Sequence, residues 1–369
     1  MNPRRRDLLF AGLGASLFPY LGGRSAHAGE PQNFPAFDAA AAGPKLTIWD
    51  DLGARLDVLT PMKRVAVFNR YTAEFVRALA GIDGIVGIDS TATHDPTYWP
   101  NLHAEQVGEG QTQPNYEAIV ALRPDTVFFP RNSEWAKARE VLAPFSIPVI
   151  VLTCWDVLKH EANVALLGRL LGQSGRAAKL NAFYRHTADL LAERTAGLAR
   201  KRVYFEEVGD YKTVLKGSGW HDMIEAAGGT NVFGDLSPLD QPASRGNIQG
   251  FDVDPEEILA RRPDVIVKLQ ANQYAPHTRA FSVGVLTAIA SRPGFDSLPA
   301  VQNGDVFHMS YFLAGACSKI VGALQLAKWL NPDRFADIEP GDAMRTWLEE
   351  FQSVPYPGGY WVSLRQIRP

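Results

Sequence analysis

The 369-residue chain is predicted to form an α/β fold of two Rossmann-like lobes with parallel sheets, joined by a single long helix. Three observations predict it. Short apolar runs alternate with segments of helical periodicity, the pattern of a parallel sheet covered by helices. A long proline-free stretch of helical spacing interrupts that series once, after which it begins again. A short motif in the first half also returns in the second at a constant offset.

Residues 1–28 read as an export signal: Arg4-Arg5-Arg6-Asp7-Leu8-Leu9, an apolar stretch to about Leu21, then Ala26-His27-Ala28 as a small-residue cleavage site. The arginines resemble the twin-arginine signal, whose route carries proteins already folded. The apolar stretch holds Gly12 and Gly14 and is shorter than the ~20 residues a spanning helix needs. Removal is therefore expected rather than anchoring. No cysteine follows the cleavage site to take a lipid, so a mature chain free in a periplasm is expected. Four arginines and one aspartate leave with the signal, taking the charge from −3 to −6 and the length to 341 residues. That length suits two domains, and that charge disfavours nucleic acid as a partner.

Residues 29–44 read as a flexible leader, and 45–155 as the first lobe. Residues 45–60 alternate apolar and polar around Asp51-Leu52-Gly53, which predicts a hairpin. Strands are predicted at 64–68, 85–88, 126–129 and 148–152, with helices at 73–80 and 116–122. Residues 156–200 form the connecting segment. Within it, Ala177, Leu180, Phe183, Tyr184, Leu190, Leu191 and Leu198 mark a helix over 174–200, ~40 Å long at 1.5 Å per residue. Residues 201–369 form the second lobe, with strands at 202–206, 265–269 and 305–309 and helices at 220–227, 255–260 and 314–330.

The repeated motif is residues 115–125 (NYEAIVALRPD), which return as 254–264 (DPEEILARRPD) at an offset of 139. Each copy reads as a helix start, one or two apolar turns, Arg-Pro-Asp as the stop, and a strand. Glu117 and Glu256 occupy matched first-turn positions. The helix dipole explains a carboxylate there, worth ~0.3–1 kcal/mol, but not the match between halves.

These segments, with the signal, the long helix and Lys216-Gly217-Ser218-Gly219-Trp220 leading to Ala227-Gly228-Gly229-Thr230-Asn231-Val232-Phe233, resemble the helical-backbone class of periplasmic binding proteins. Asp50-Asp51-Leu52-Gly53, residues 82–88 and 167–184, and Ala327-Lys328-Trp329-Leu330-Asn331-Pro332 extend the resemblance over the mature chain. It implies two lobes with little relative motion and a ligand between them. The ligands of that class are ferric siderophores, cobalamin, haem and some oxyanions. The resemblance also implies docking on a dimeric ABC permease through one surface glutamate per lobe, here Glu117 and Glu256. A monomer with no intrinsic cofactor is expected, carrying a metal chelate of the ferric siderophore type, with an oxyanion, cobalamin or haem as alternatives.

Ligand contacts are expected on loops after the carboxyl ends of strands. The candidates of the first lobe are Arg70, Tyr71, His94, Tyr98, Trp99, Arg131 and Trp155. Those of the second are Tyr211, Trp220, His221, Arg245, Lys268, Tyr274, His308, Tyr311 and Phe312. Cations would neutralise an anionic ligand, and aromatics would pack on its apolar body. His94, His221 and His308 with Glu206 or Glu207 could instead hold a bare metal, although no telling ligand spacing marks them. Gly217-Ser218-Gly219-Trp220 offers a possible anion cradle. An α/β metal-chelatase-like enzyme is the competing class, but no nucleophile elbow or phosphate-binding loop is present. Cys154 and Cys317, in different halves, are expected to be buried thiols rather than a bridge across the lobes.

Overall fold

The computed structural model describes residues 43–367 except 94, 157, 158, 271–273 and 316. The expected signal, and the leader apart from its last two positions, lie outside the described residues. Strands β1 (Lys45–Trp49) and β2 (Arg55–Leu59) form an antiparallel hairpin. The aspartates of its turn explain Asp50-Asp51-Leu52-Gly53. Asp50 Oδ1 accepts from the amides of Leu52 and Ala54, both at 3.0 Å, and Gly53 takes φ 76°. Asp50 Oδ2 accepts from the amide of Val151 at 3.1 Å and pairs with Arg139. The hairpin is thereby stitched to the first lobe.

That lobe is built on β3 (Val65–Val67), β4 (Ile85–Asp89), β5 (Glu105–Gly108), β6 (Thr126–Phe129) and β7 (Val149–Val151), in the order β5-β4-β3-β6-β7 and parallel throughout. The order reverses between β3 and β6, which opens a crevice at their carboxyl ends. Helices α1 (Arg70–Ala80), α2 (Ser90–Thr93), α3 (Tyr116–Leu122), α4 (Trp135–Leu142) and α5 (His160–Leu170) connect or cover these strands.

The connecting helix, α6, runs over Ser174–Thr195, about 33 Å at 1.5 Å per residue. It ends five residues short of the predicted stop because Ala196 leaves helical geometry and Gly197 takes φ 71°, a conformation that suits glycine.

The second lobe adds β8 (Lys201–Glu206), β9 (Lys212–Thr213), β10 (Gly229–Asn231), β11 (Phe251–Asp252), β12 (Val265–Gln270), β13 (Val306–Ser310) and β14 (Trp361–Ser363). Strands β10, β8, β12 and β13 pair in parallel, while β9, β11 and β14 join antiparallel. Its helices are α7 (Gly219–Ala226), α8 (Pro255–Arg261), α9 (Arg279–Ala290), α10 (Pro299–Gln302), α11 (Ser318–Leu330) and α12 (Pro340–Arg345).

The repeated motif has the same structure in both lobes. Helices α3 and α8 end on left-handed arginines, Arg123 at φ 47° and Arg262 at φ 42°. Asp125 Oδ2 then accepts from the amide of Arg64 at 2.9 Å, and Asp264 Oδ2 from that of Arg202 at 2.8 Å. In each case the aspartate caps the strand at the centre of its sheet, so Arg-Pro-Asp has a local structural role. Glu117 and Glu256 are exposed and form no ion pair among the described residues.

One apolar core runs across both lobes, taking in α1, α5, α6 and α11. The chain also crosses back after α12. Trp347 packs edge-on against Phe75 of α1, and Phe351 packs against Phe183 of α6. Gln352 accepts from Arg77 Nε at 2.7 Å and donates to the carbonyl of Glu74 at 2.9 Å. The segment around 347–352, assigned from sequence to the second lobe, therefore lies on the first before β14 rejoins the second sheet.

Candidate functional site

A cleft of about 160 Å³ lies between the lobes, lined by residues that follow the strands of both sheets. The first lobe contributes Asn69 and Tyr71 after β3, Gln111 after β5, Asn132 after β6 and Trp155 after β7. The second contributes Gly219 and Trp220 at the start of α7, Gln249, Tyr311 after β13, and Lys319 in the first turn of α11.

Asn69 holds a backbone conformation rare outside glycine, φ 139° and ψ 128°, while its side chain caps α1 through the amide of Tyr71 at 2.9 Å. Its Nδ2 donates to Gln111 Oε1 at 3.2 Å. Strain of this kind at a cleft-lining residue marks a position that the fold holds in place. The aromatics face each other in edge-to-face pairs. Tyr71 meets Trp155 at 6.2 Å and Trp220 meets Tyr311 at 5.7 Å, with Trp220 stacked on Phe205 at 5.2 Å. The Tyr71 ring reaches across to the other lobe, where a Cβ added at Gly315 would lie 1.9 Å from it.

Four of the expected ligand residues thus meet in the cleft: Tyr71, Trp155, Trp220 and Tyr311. The other described candidates are not among its lining residues. Tyr98, Tyr274 and Phe312 form a packed seam between the lobes, with Tyr98 stacked on Tyr274 at 5.3 Å and edge-on to Phe312 at 4.9 Å. Trp99 is buried beneath Arg77, whose guanidinium lies 4.0 Å from its ring. Arg70 sits over the Tyr71 ring at 5.0 Å, with a buried Nη2 that has no hydrogen-bond partner. Arg131 pairs with Asp156 at 2.8 Å, and Arg245 with Glu257 at 2.8 Å.

Lys268 is 1% exposed and lies in a buried ion network at the ends of β8 and β12. Its Nζ meets Glu206 at 2.7 Å, and Glu206 also takes Arg292 at 2.6 Å and the hydroxyl of Tyr204 at 2.7 Å. Tyr211 caps this network from outside, with Arg292 4.3 Å from its ring. The expected histidines do not gather. His221 faces a separate groove shared with Arg202, Glu225 and Arg261. His308 is buried beside His277 and Phe281, and burial brings its imidazole down to about 4. His94 lies outside the described residues. Among the described residues no three metal-ligating side chains cluster, and Glu206 is committed to its ion pairs. Cys154 and Cys317 are buried free thiols.

The lining residues missed from sequence are the amides and Lys319. The signal available was position, since Asn69 and Asn132 fall just past the carboxyl ends of central strands. Neither asparagine carries the charge or the ring that marks the other candidates.

Behind Tyr71, Glu74 is buried on α1 between Arg70 and Arg77. Burial raises its carboxyl to about 7, with both arginines pulling the other way. A carboxyl raised on folding stabilises the protein below its unfolded value of 4.5 and loses that contribution as pH rises through 7. The stability of the wild type relative to Glu74→Gln is therefore expected to decline from about pH 4.5 to 7. Paired urea titrations check this, and a constant difference across that window would refute it.

Two α/β lobes that face each other across a polar and aromatic cleft, connected through one long helix and a returning segment, define a cleft-type solute-binding protein. Residues 65–311 match the family described as Periplasmic binding protein. The chain belongs to that family, whose members are the substrate-binding proteins of ABC transporters. Such a protein works in the periplasm or outside the cell.

Solved structures agree on the fold. A TroA-like periplasmic binding protein, FepB of Veillonella parvula, aligns with TM-score 0.72 and 22% identity, over 86% of this chain and 99% of its own. The molybdate-bound MolA of Haemophilus influenzae aligns with TM-score 0.67 and 21% identity, over 84% and 99%. The nickel–histidine complex of Helicobacter pylori CeuE aligns with TM-score 0.63 and 17% identity, over 84% and 96%. No curated protein matches the chain.

Proposed function

We propose that this protein captures a compact metal-containing solute, a small chelate or an oxyanion, and delivers it to a dimeric ABC permease through Glu117 and Glu256. The cleft carries the reading on the ligand. Its volume of about 160 Å³ falls below the roughly 300–1,000 Å³ typical of sites for drug-sized ligands. Haem, cobalamin and large ferric siderophores need more room than this, so the size of the cleft favours a smaller complex than the siderophore type expected from sequence. Molybdate and nickel–histidine, held by two proteins of the same fold, are compact solutes. The arginine-bearing segment 1–28 is read as a twin-arginine signal for export to the periplasm.

Native purification from periplasm, followed by absorbance and elemental analysis, tests the ligand class. One metal per protein without a porphyrin or corrinoid spectrum is expected. A haem or corrinoid band would sink the compact-solute reading.

A further inference from the structure

Lys319 projects from α11 of the second lobe, is 4% exposed, and lines the cleft. Its Nζ donates across the lobes to the carbonyl of Trp155 at 2.7 Å. The ammonium has three donors, and among the described residues no carboxylate lies within ion-pairing distance of it. None of the described residues that line the cleft is acidic. The lysine stem runs over the first residue of α7, so closely that a Cβ at Gly219 would lie 2.3 Å from Nζ. Glycine there leaves the ammonium room to face the cavity.

Among the described residues the direct partner of this buried ammonium is a carbonyl and no carboxylate contacts it, a costly arrangement that leaves its remaining donors to a partner in the cleft. We propose that Lys319 is the charge-selecting residue of the cleft and reserves it for a solute of net negative charge. The proposal rests on the cleft being the ligand site. The charged groups around Lys319 are Asp222 on α7 and Asp156 and Arg131 on first-lobe loops. Burial brings the ammonium down to about 8, the two aspartates opposing that fall and Arg131 adding to it. Neutralisation of the amine at higher pH follows.

The test titrates wild type, Lys319→Gln, Lys319→Arg and Asn132→Trp by intrinsic fluorescence, using sodium molybdate and ferric citrate as anionic probes and nickel bis-histidine as an uncharged one. Wild type is expected to bind at least one anionic probe at pH 7. Lys319→Gln should weaken that binding by at least about 100-fold, within the range for removing one partner of a buried charge pair. Lys319→Arg should retain most of it, and raising wild type to about pH 9.5 should weaken it. Lys319→Gln should also unfold at the same or a higher temperature, because it removes a buried charge that no carboxylate contacts among the described residues. A lysine with a merely structural role would instead lower that temperature.

Wild-type binding of nickel bis-histidine alone, binding of no probe up to 10 mM (roughly the weakest affinity of interest), or equal anion binding by Lys319→Gln each overturns the proposal. Asn132→Trp separates the two levels, because it fills the cleft from the first lobe. If a bound probe survives that substitution, the cleft reading itself fails. If Asn132→Trp blocks the probe while Lys319→Gln does not, the cleft stands and the charge-selection proposal falls.

Discussion

Replacing Glu117 and Glu256 together by alanine is expected to abolish uptake while leaving solute affinity unchanged. Both carboxylates are exposed, in the first turns of α3 and α8, and neither is used in an ion pair among the described residues. The surrounding motif is structural, since Asp125 and Asp264 cap the central strands. Glu117 and Glu256 have no such task beyond a favourable helix dipole, worth ~0.3–1 kcal/mol each. Two carboxylates at matched positions of the two lobes suit two basic pockets related by a two-fold axis, with charge-assisted hydrogen bonds at each. Uptake of the co-purifying metal, measured in a strain that lacks the wild-type gene, gives one readout. Titration of the purified double variant gives the other. Normal uptake would remove these residues from permease docking, and lost affinity would move their role to the ligand.

Glu206→Gln is expected to cost about 3–5 kcal/mol of stability, the range for breaking a buried ion pair from one side. The substitution keeps the shape and removes the charge. Lys268 at 1% side-chain exposure and Arg292 at 10% would then share only Asp210, whose side chain is 71% exposed. Two cations would remain buried with one solvated partner. The urea unfolding free energy at pH 7 measures the loss. A change under about 1 kcal/mol, the worth of a surface pair, would mean that the network is solvated in solution.

Much of the architecture was readable from the residues because its signals are periodic. The strands at 126–129 and the helix at 116–122 match β6 and α3, since each is a clean apolar run bounded by turn chemistry. The offset of 139 marks the duplicated helix and its stop in the sequence alone. Strands β9, β10, β11 and β14, of two or three residues, leave no such pattern, because their pairing is set by neighbours in the sheet. The cleft divided in the same way. Its aromatic residues stand out in composition and fall after strands, so Tyr71, Trp155, Trp220 and Tyr311 were accessible. Lys319 shares the largely apolar α11 with Lys328, and from sequence its side chain looks like a stem lying along the surface. Only the packing of α11 against α7 and the first lobe turns it inward. Lys268 shows the converse, a cation at the right end of a strand whose charge is consumed by Glu206.

The return of residues 347–352 to the first lobe means that the lobes are held by more than α6. A protein tethered at one point can hinge, whereas one also clasped by a buried strap can only twist or breathe about it. Solute entry should then leave the radius of gyration in solution scattering unchanged. The heat-capacity change on binding should report the small area of the cleft rather than the docking of whole domains.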